Sequence, residues 1–164
     1  MVAKRDNGST VPSDEKTKLI IAEDQALFAG TLPDFLHQAS AGRIEVAHIC
    51  LTRSQLLRML RKTTPDVLLC DVWMPYNCGD PPMPCDVPLL EAIKRQSPNT
   101  ATLLLSGYAD TRLAKYLLDA GAAGFLDKNV VVEQICQAIE RVKQGDKYIA
   151  PSLRTVINLL YADS

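Results

Sequence analysis

The sequence predicts a doubly wound α/β domain, a five-stranded parallel sheet with helices on both faces. Three observations predict it. Strand-like and helix-like segments alternate five times along the chain, the order expected of βα units joined by right-handed crossovers. Two apolar runs, residues 67–70 (VLLC) and 102–105 (TLLL), are continuous rather than alternating, as in strands buried on both faces of a parallel sheet. Polar residues gather where the strands end, the edge at which open α/β sheets bind ligands.

The elements follow in order. Residues 18–22 (KLIIA) form the first strand and stop at Glu23-Asp24. Leu27, Phe28, Leu32, Phe35 and Leu36 recur at helical spacing, with Pro33 inside the pattern as a point of kinking. Residues 43–50 (RIEVAHIC) alternate as a strand. Thr52-Arg53-Ser54-Gln55 reads as a capping box ahead of a helix lined by Leu56, Leu57 and Leu60. The third strand, residues 67–70, delivers Asp71. A helix over residues 89–96 follows, with Asp86 as N-cap and Pro88 in its first turn. Residues 102–105 form the fourth strand, ending at Ser106-Gly107, and Asp110 caps a helix carrying Leu113, Leu117 and Ala120. Gly121 and Gly124 bracket a turn into the last strand at Phe125-Leu126. Val131, Ile135, Ile139 and Val142 mark a long helix closed by Gly145, and residues 151–161 form one more short helix.

Composition narrows the class. The 164 residues suffice for one cored domain, and 47% hydrophobic with 23% charged residues is ordinary for a globular protein. A net charge of -1 supplies no electrostatic reason to bind nucleic acid or a membrane surface. No apolar run approaches the roughly 20 residues of a membrane span. Residues 1–16 read as a disordered polar tail without the apolar stretch of a secretory signal. Five cysteines without a regular framework suit a reducing cytoplasm. Cys50, Cys70 and Cys136 read as small core residues and Cys78 and Cys85 as loop thiols; zinc would need two further ligands, and the two histidines, His37 and His48, lie in other elements.

Glu23, Asp24, Asp71, Ser106 and Lys128 all fall at strand ends. Three carboxylates held together repel one another, and a hard divalent cation such as Mg²⁺ relieves that. A lysine beside them offsets phosphate charge, a serine hydroxyl donates to a phosphoryl oxygen, and an aspartate at such a site can act as nucleophile. The spacing from Asp71 to Ser106 is 35 residues against 22 from Ser106 to Lys128, so about one strand–helix unit plus an insertion lies between them. Residues 71–88 (DVWMPYNCGDPPMPCDVP) hold five of the ten prolines, and residues 80–86 read as a stiff, extended insertion beside the site.

Ile20-Ile21-Ala22-Glu23-Asp24-Gln25, Leu68-Leu69-Cys70-Asp71-Val72-Trp73-Met74-Pro75, Leu105-Ser106-Gly107 and Gly124-Phe125-Leu126-Asp127-Lys128 together resemble the receiver domain of two-component response regulators, over residues 17–144. Residues 23–28 and the tail Gly145-Asp146-Lys147-Tyr148-Ile149-Ala150-Pro151-Ser152 further resemble the NarL/FixJ (LuxR-type) subfamily. The resemblance implies a flavodoxin-like sheet of order 2-1-3-4-5 and a receiver over residues 17–145. It implies that residues 146–164 lead toward a helix-turn-helix output domain absent from this chain. It implies that Asp71 accepts a phosphoryl group from a sensor histidine kinase or phosphotransfer protein. Asp24, Asp71 and the Trp73 backbone carbonyl would hold Mg²⁺, with Glu23 bound through water. Lys128 and Ser106 would bind the phosphoryl group, with Ser106 and Phe125 as switch residues, and phosphorylation would bring a homodimer. Phe125 departs from the commoner tyrosine and lacks its hydroxyl. Trp73 and Tyr108 flank the site, either as a partial lid controlling access or as aromatics closing an edge.

Two other functions compete. A phosphohydrolase with an aspartyl nucleophile needs a second carboxylate two residues on, where this chain has Trp73. A phosphorylation-independent adaptor would have no use for the full acidic, serine and lysine set. Arg53, Arg58, Arg61 and Lys62 make the second helix basic, which reads as a solvated face.

Overall fold

The computed structural model of the chain describes residues 15–108 and 110–163. The tail expected over residues 1–16 thus lies mostly outside the described residues; Glu15 and Lys16 are exposed. The elements are β1 (Thr17–Ala22), α1 (Ala26–Ala39), β2 (Ile44–Cys50), α2 (Arg53–Leu60), β3 (Val67–Asp71), β4 (Trp73–Met74), β5 (Met83–Pro84), α3 (Val87–Gln96), β6 (Ala101–Ser106), α4 (Thr111–Asp119), β7 (Gly124–Asp127), α5 (Val132–Lys143), β8 (Tyr148–Ile149) and α6 (Pro151–Ala162).

One parallel sheet runs β2-β1-β3-β6-β7-β8. The five predicted strands are β1, β2, β3, β6 and β7, in the expected order 2-1-3-4-5. The sheet has six strands rather than five because β8 adds parallel to β7, with Tyr148 beside Gly124 and Ile149 beside Phe125. A two-residue strand has no periodicity for a sequence reading to detect. Its approach explains Gly124: a Cβ there would stand 2.6 Å from the Tyr148 carbonyl oxygen and 2.7 Å from Leu103 Cδ1.

Every residue of β3 is buried, as the continuous apolar run requires, and the helices cover both faces, with α1 beside α5 and α2 beside α3. α1 continues through Pro33 as one helix. Its core stripe is narrower than the periodicity suggested. Ala29, Leu32 and Leu36 are buried, whereas Leu27 and Phe35 lie off the stripe and are 83% and 55% exposed.

The caps form as their residue types dictate. Thr52 Oγ1 accepts from Gln55 N at 3.2 Å while Gln55 Oε1 accepts from Leu51 N at 2.8 Å. Asp86 Oδ1 accepts from Leu89 N at 3.0 Å, and Asp110 Oδ1 from Arg112 N and Leu113 N. Gly145, at φ +92°, closes α5.

The insertion is not the extended arm its prolines suggested. β4 and β5 pair antiparallel, Trp73 with Pro84 and Met74 with Met83, so the segment doubles back as a hairpin whose loop includes Gly79 at φ +88°. Alternation turns Met74 into the core and Trp73 outward. Cys85 is buried at the base of this hairpin rather than a loop thiol; Cys78 is exposed. Among the described residues no helix is long and apolar enough to cross a membrane.

Candidate functional site

β1, β3, β6 and β7 are neighbours in the sheet, so their carboxyl ends meet on one edge. Glu23 and Asp24 follow β1, Asp71 ends β3, Ser106 ends β6 and Lys128 follows β7. Strand register brings them level: Ala22 lies beside Cys70, Asp71 beside Leu105 and Ser106 beside Asp127. The Lys128 N–H donates to the Ser106 carbonyl at 2.8 Å, tying the last two strand ends together.

Carboxylate oxygens of Glu23, Asp24 and Asp71 lie within 4.8 Å of one another. Lys128 Nζ donates to Asp71 Oδ2 at 2.8 Å and stands 2.8 Å from Glu23 Oε2 as an ion pair. Asp71 Oδ1 accepts from the Trp73 N–H at 3.0 Å, and Glu23 Oε1 accepts from the Gln25 N–H at 3.0 Å. Glu23 and Asp71 are buried, at 1% and 5% exposure; Asp24 is half-buried.

Burial pushes the Glu23 carboxyl up to about 7. The Lys128 contact and the Gln25 N–H pull it down, and neighbouring Asp71 pushes the same way as burial. For Lys128, burial acts to lower the ammonium's value, but the Asp71 and Glu23 carboxylates together hold it above the ordinary lysine range. One ammonium thus pairs with two of the three clustered carboxylates, Asp71 and Glu23. The set is all oxygen, clustered and short of positive charge, which fits a hard divalent cation such as Mg²⁺.

The other predicted residues ring this centre. Ser106 is buried, and its hydroxyl is spent on the backbone of Tyr108: Oγ donates to the Tyr108 carbonyl at 2.9 Å and lies 3.2 Å from the Tyr108 N–H, from which it accepts. The Phe125 ring is fully buried. Trp73 and Tyr108 are 42% and 77% exposed.

Two contributors were not foreseen. Phe28 was expected on the apolar face of α1 and in the subfamily motif, with no role at the site, yet its ring centroid lies 5.6 Å from Lys128 Nζ, close enough for a cation–π contact. Arg53 was expected on a solvated face. Arg58, Arg61 and Lys62 are exposed as expected, but Arg53 is buried under the hairpin. Its position as the first residue after the Thr52 cap was the one available signal, because the first turn of a helix faces whatever packs on its N-terminus. Burial pushes the Cys85 thiol up to about 12 and Cys70 well above its usual value, so both are neutral small core groups.

Residues 19–140 match the family described as the response regulator receiver domain. The chain is similar to oxygen regulatory protein NreC of Staphylococcus carnosus, 28% identical over 138 residues that make up 84% of this chain and 60% of NreC. It is also similar to the probable transcriptional regulatory protein NarL of Mycobacterium tuberculosis, 27% identical over 142 residues, 87% of this chain and 62% of that protein. The chain therefore spans less than two thirds of either relative. Its fold resembles the crystal structure of a LuxR-family two-component response regulator from Aurantimonas sp. SI85-9A1, with a TM-score of 0.77 at 18% identity over 90% of this chain and 99% of that one.

Proposed function

Because the chain belongs to the response regulator receiver domain family, with relatives of the NarL and LuxR type, we propose that Asp71 accepts a phosphoryl group from a sensor histidine kinase or phosphotransfer protein. The observation that carries this reading is the Asp71 carboxylate, buried at the end of a central strand, bonded to Lys128 and clustered with Glu23 and Asp24. One Asp71 oxygen attacks phosphorus. The O–P bond forms as the P–N bond of the donor phosphohistidine breaks, and the electron pair leaves on the imidazole nitrogen, which takes up a proton.

Such a transfer needs placement and charge stabilisation more than covalent help. Asp24, Asp71 and the Trp73 carbonyl would hold Mg²⁺, with Glu23 through water, and the ion would supply charge neutralisation for the phosphoryl group. Lys128 adds a fixed positive charge from the carboxyl end of β7, on the same edge of the sheet. Burial of Glu23 and Asp71 keeps the local dielectric low, which strengthens both effects.

The switch follows from what Ser106 now holds. To bond a phosphoryl oxygen its hydroxyl gives up two contacts to Tyr108. Phe125 is already buried, so the movement left is that of the segment carrying Ser106 and the exposed Tyr108 ahead of α4. A change of population from 1:99 to 99:1 needs about 5.5 kcal/mol of differential interaction. Two or three charge-assisted hydrogen bonds at roughly 1.5–3 kcal/mol each supply that. In this reading the protein works in the cytoplasm and pairs with a second copy on phosphorylation. Output is control of transcription through a DNA-binding region outside residues 17–145.

Incubation with Mg²⁺ and acetyl phosphate, followed by intact-mass measurement, tests the reading. A labile gain of one phosphoryl group in the wild type, absent in Asp71→Asn, is expected. No gain in the wild type would overturn it.

A further inference from the structure

We propose that Arg53 is a positioning residue for the phosphoacceptor loop, clamping the hairpin strand that sets the backbone of Trp73. The inference rests on the reading of Asp71 above and adds a residue from a different element.

Arg53 opens α2, yet it is 4% exposed. Its Nη2 donates to the carbonyl oxygens of Met83 and of Pro84, the latter at 2.8 Å, which together make up β5. Among the described residues its Nε has no partner. Burying a guanidinium with an unpaired donor is costly, so the side chain is not there to stabilise the fold cheaply. Its two bonds go to the main chain of the insertion.

Those carbonyls lie one step from the reacting group. Pro84 is the ladder partner of Trp73, and the Trp73 N–H donates to Asp71 Oδ1. The same helix end holds the loop again: Arg53 N donates to the Pro75 carbonyl and Ser54 N to the Tyr76 carbonyl, both at 3.0 Å. A third tie, Cys85 N to the Val72 carbonyl at 2.6 Å, closes the base of the hairpin. Residues 72–76 are thus fixed from α2 on one side and from β5 on the other, and Arg53 joins the two.

The consequence concerns the two backbone groups of Trp73. Its N–H orients the Asp71 carboxylate, and its carbonyl is the proposed third Mg²⁺ ligand. Releasing β5 loosens both, as removal of an outer partner loosens a metal ligand; such losses weaken metal binding by about 10–100-fold.

Trp73 is the sole tryptophan, so its fluorescence reports cation binding without reference to phosphorylation. In Arg53→Met, which keeps an apolar stem and removes both bonds, the Mg²⁺ concentration for half-maximal change should rise about tenfold. Exchange of the Trp73 amide should accelerate in metal-free protein while that of Leu69, inside β3, stays slow. Arg53→Lys, whose ammonium can still donate, should shift the midpoint in the same direction by less, and it carries the test if the methionine variant does not fold. A lowered melting temperature with unchanged Mg²⁺ midpoint and Trp73 exchange would make Arg53 merely structural and overturn the proposal. A wild type that binds Mg²⁺ but gains no phosphoryl group overturns the functional reading alone, and the clamp is then judged on the Mg²⁺ and exchange shifts.

Discussion

Glu23 shows how one side chain makes the site sensitive to pH. Its carboxyl is buried against Asp71 with a single ammonium shared between them, and burial lifts it from 4.5 to about 7. The folded protein therefore binds a proton at Glu23 more tightly than the unfolded chain does. The linked stability is fully present below pH 4.5 and is lost as pH rises to about 7, in the absence of metal. A cation beside Glu23 favours its ionised carboxyl, which binds through water, so its affinity moves the other way. Between pH 6 and pH 8 the apparent Mg²⁺ affinity read from Trp73 fluorescence should increase by up to about tenfold, because a proton on Glu23 removes charge that favours the cation. Glu23→Gln should weaken binding and flatten the pH dependence; a wild-type midpoint equal at the two pH values would remove Glu23 from the set. At this scale the acidic, serine and lysine positions were readable in the sequence, because a strand end places its residue on a known edge of the sheet. Phe28 and Arg53 were not. Helical spacing says which residues share a face and nothing about how far a side chain reaches into a neighbouring element.

Among the elements, the regular helices and long strands were legible because each repeats its signal over many residues, and the caps at Thr52, Asp86 and Asp110 form as their spacing predicts. The short strands were not. β4, β5 and β8 have two residues each, and Pro84 sits in one of them, which a proline tolerates only at an edge. The extra spacing after Asp71 announced an insertion, but its fold depends on Arg53 and on main-chain bonds that composition does not encode. β8 left one trace, Gly124, which the sequence reading took as a turn residue. Gly124→Ala places a methyl group against a backbone carbonyl and a buried leucine, so β8 must move away from β7. A loss of about 1–3 kcal/mol is expected from such overpacking, measured by urea denaturation. Unchanged stability would mean that β8 yields without cost and contributes no packing to the sheet.

For the molecule as a whole, a doubly wound parallel sheet was legible in the alternation of buried runs and helical segments, and its strand order in the resemblance to the receiver family. What α6 packs against was not, since an amphipathic helix does not name its partner. It lies along α4, with Leu153 and Ile157 buried and the Tyr161 hydroxyl donating to Asp119 Oδ1 at 2.8 Å. Lys115 completes the contact, paired with Asp119 and standing 4.5 Å from the Tyr161 ring centroid. α4 begins just after the Ser106–Tyr108 turn, so the helix that follows the proposed switch also carries the C-terminal helix. If α6 is an integral layer of the domain, removing its core contact must destabilise everything together. Ile157 is fully buried, and Ile157→Ala should lower the stability of the entire domain by about 2–5 kcal/mol, in one cooperative transition seen alike by circular dichroism and by Trp73 fluorescence. Trp73 lies in the hairpin beside Asp71, outside the α4–α6 contact, so its signal reports whether the loss spreads. A circular dichroism change with the Trp73 midpoint unmoved would show that α6 melts by itself, and would sever the C-terminal helix from the cooperative unit that contains Asp71.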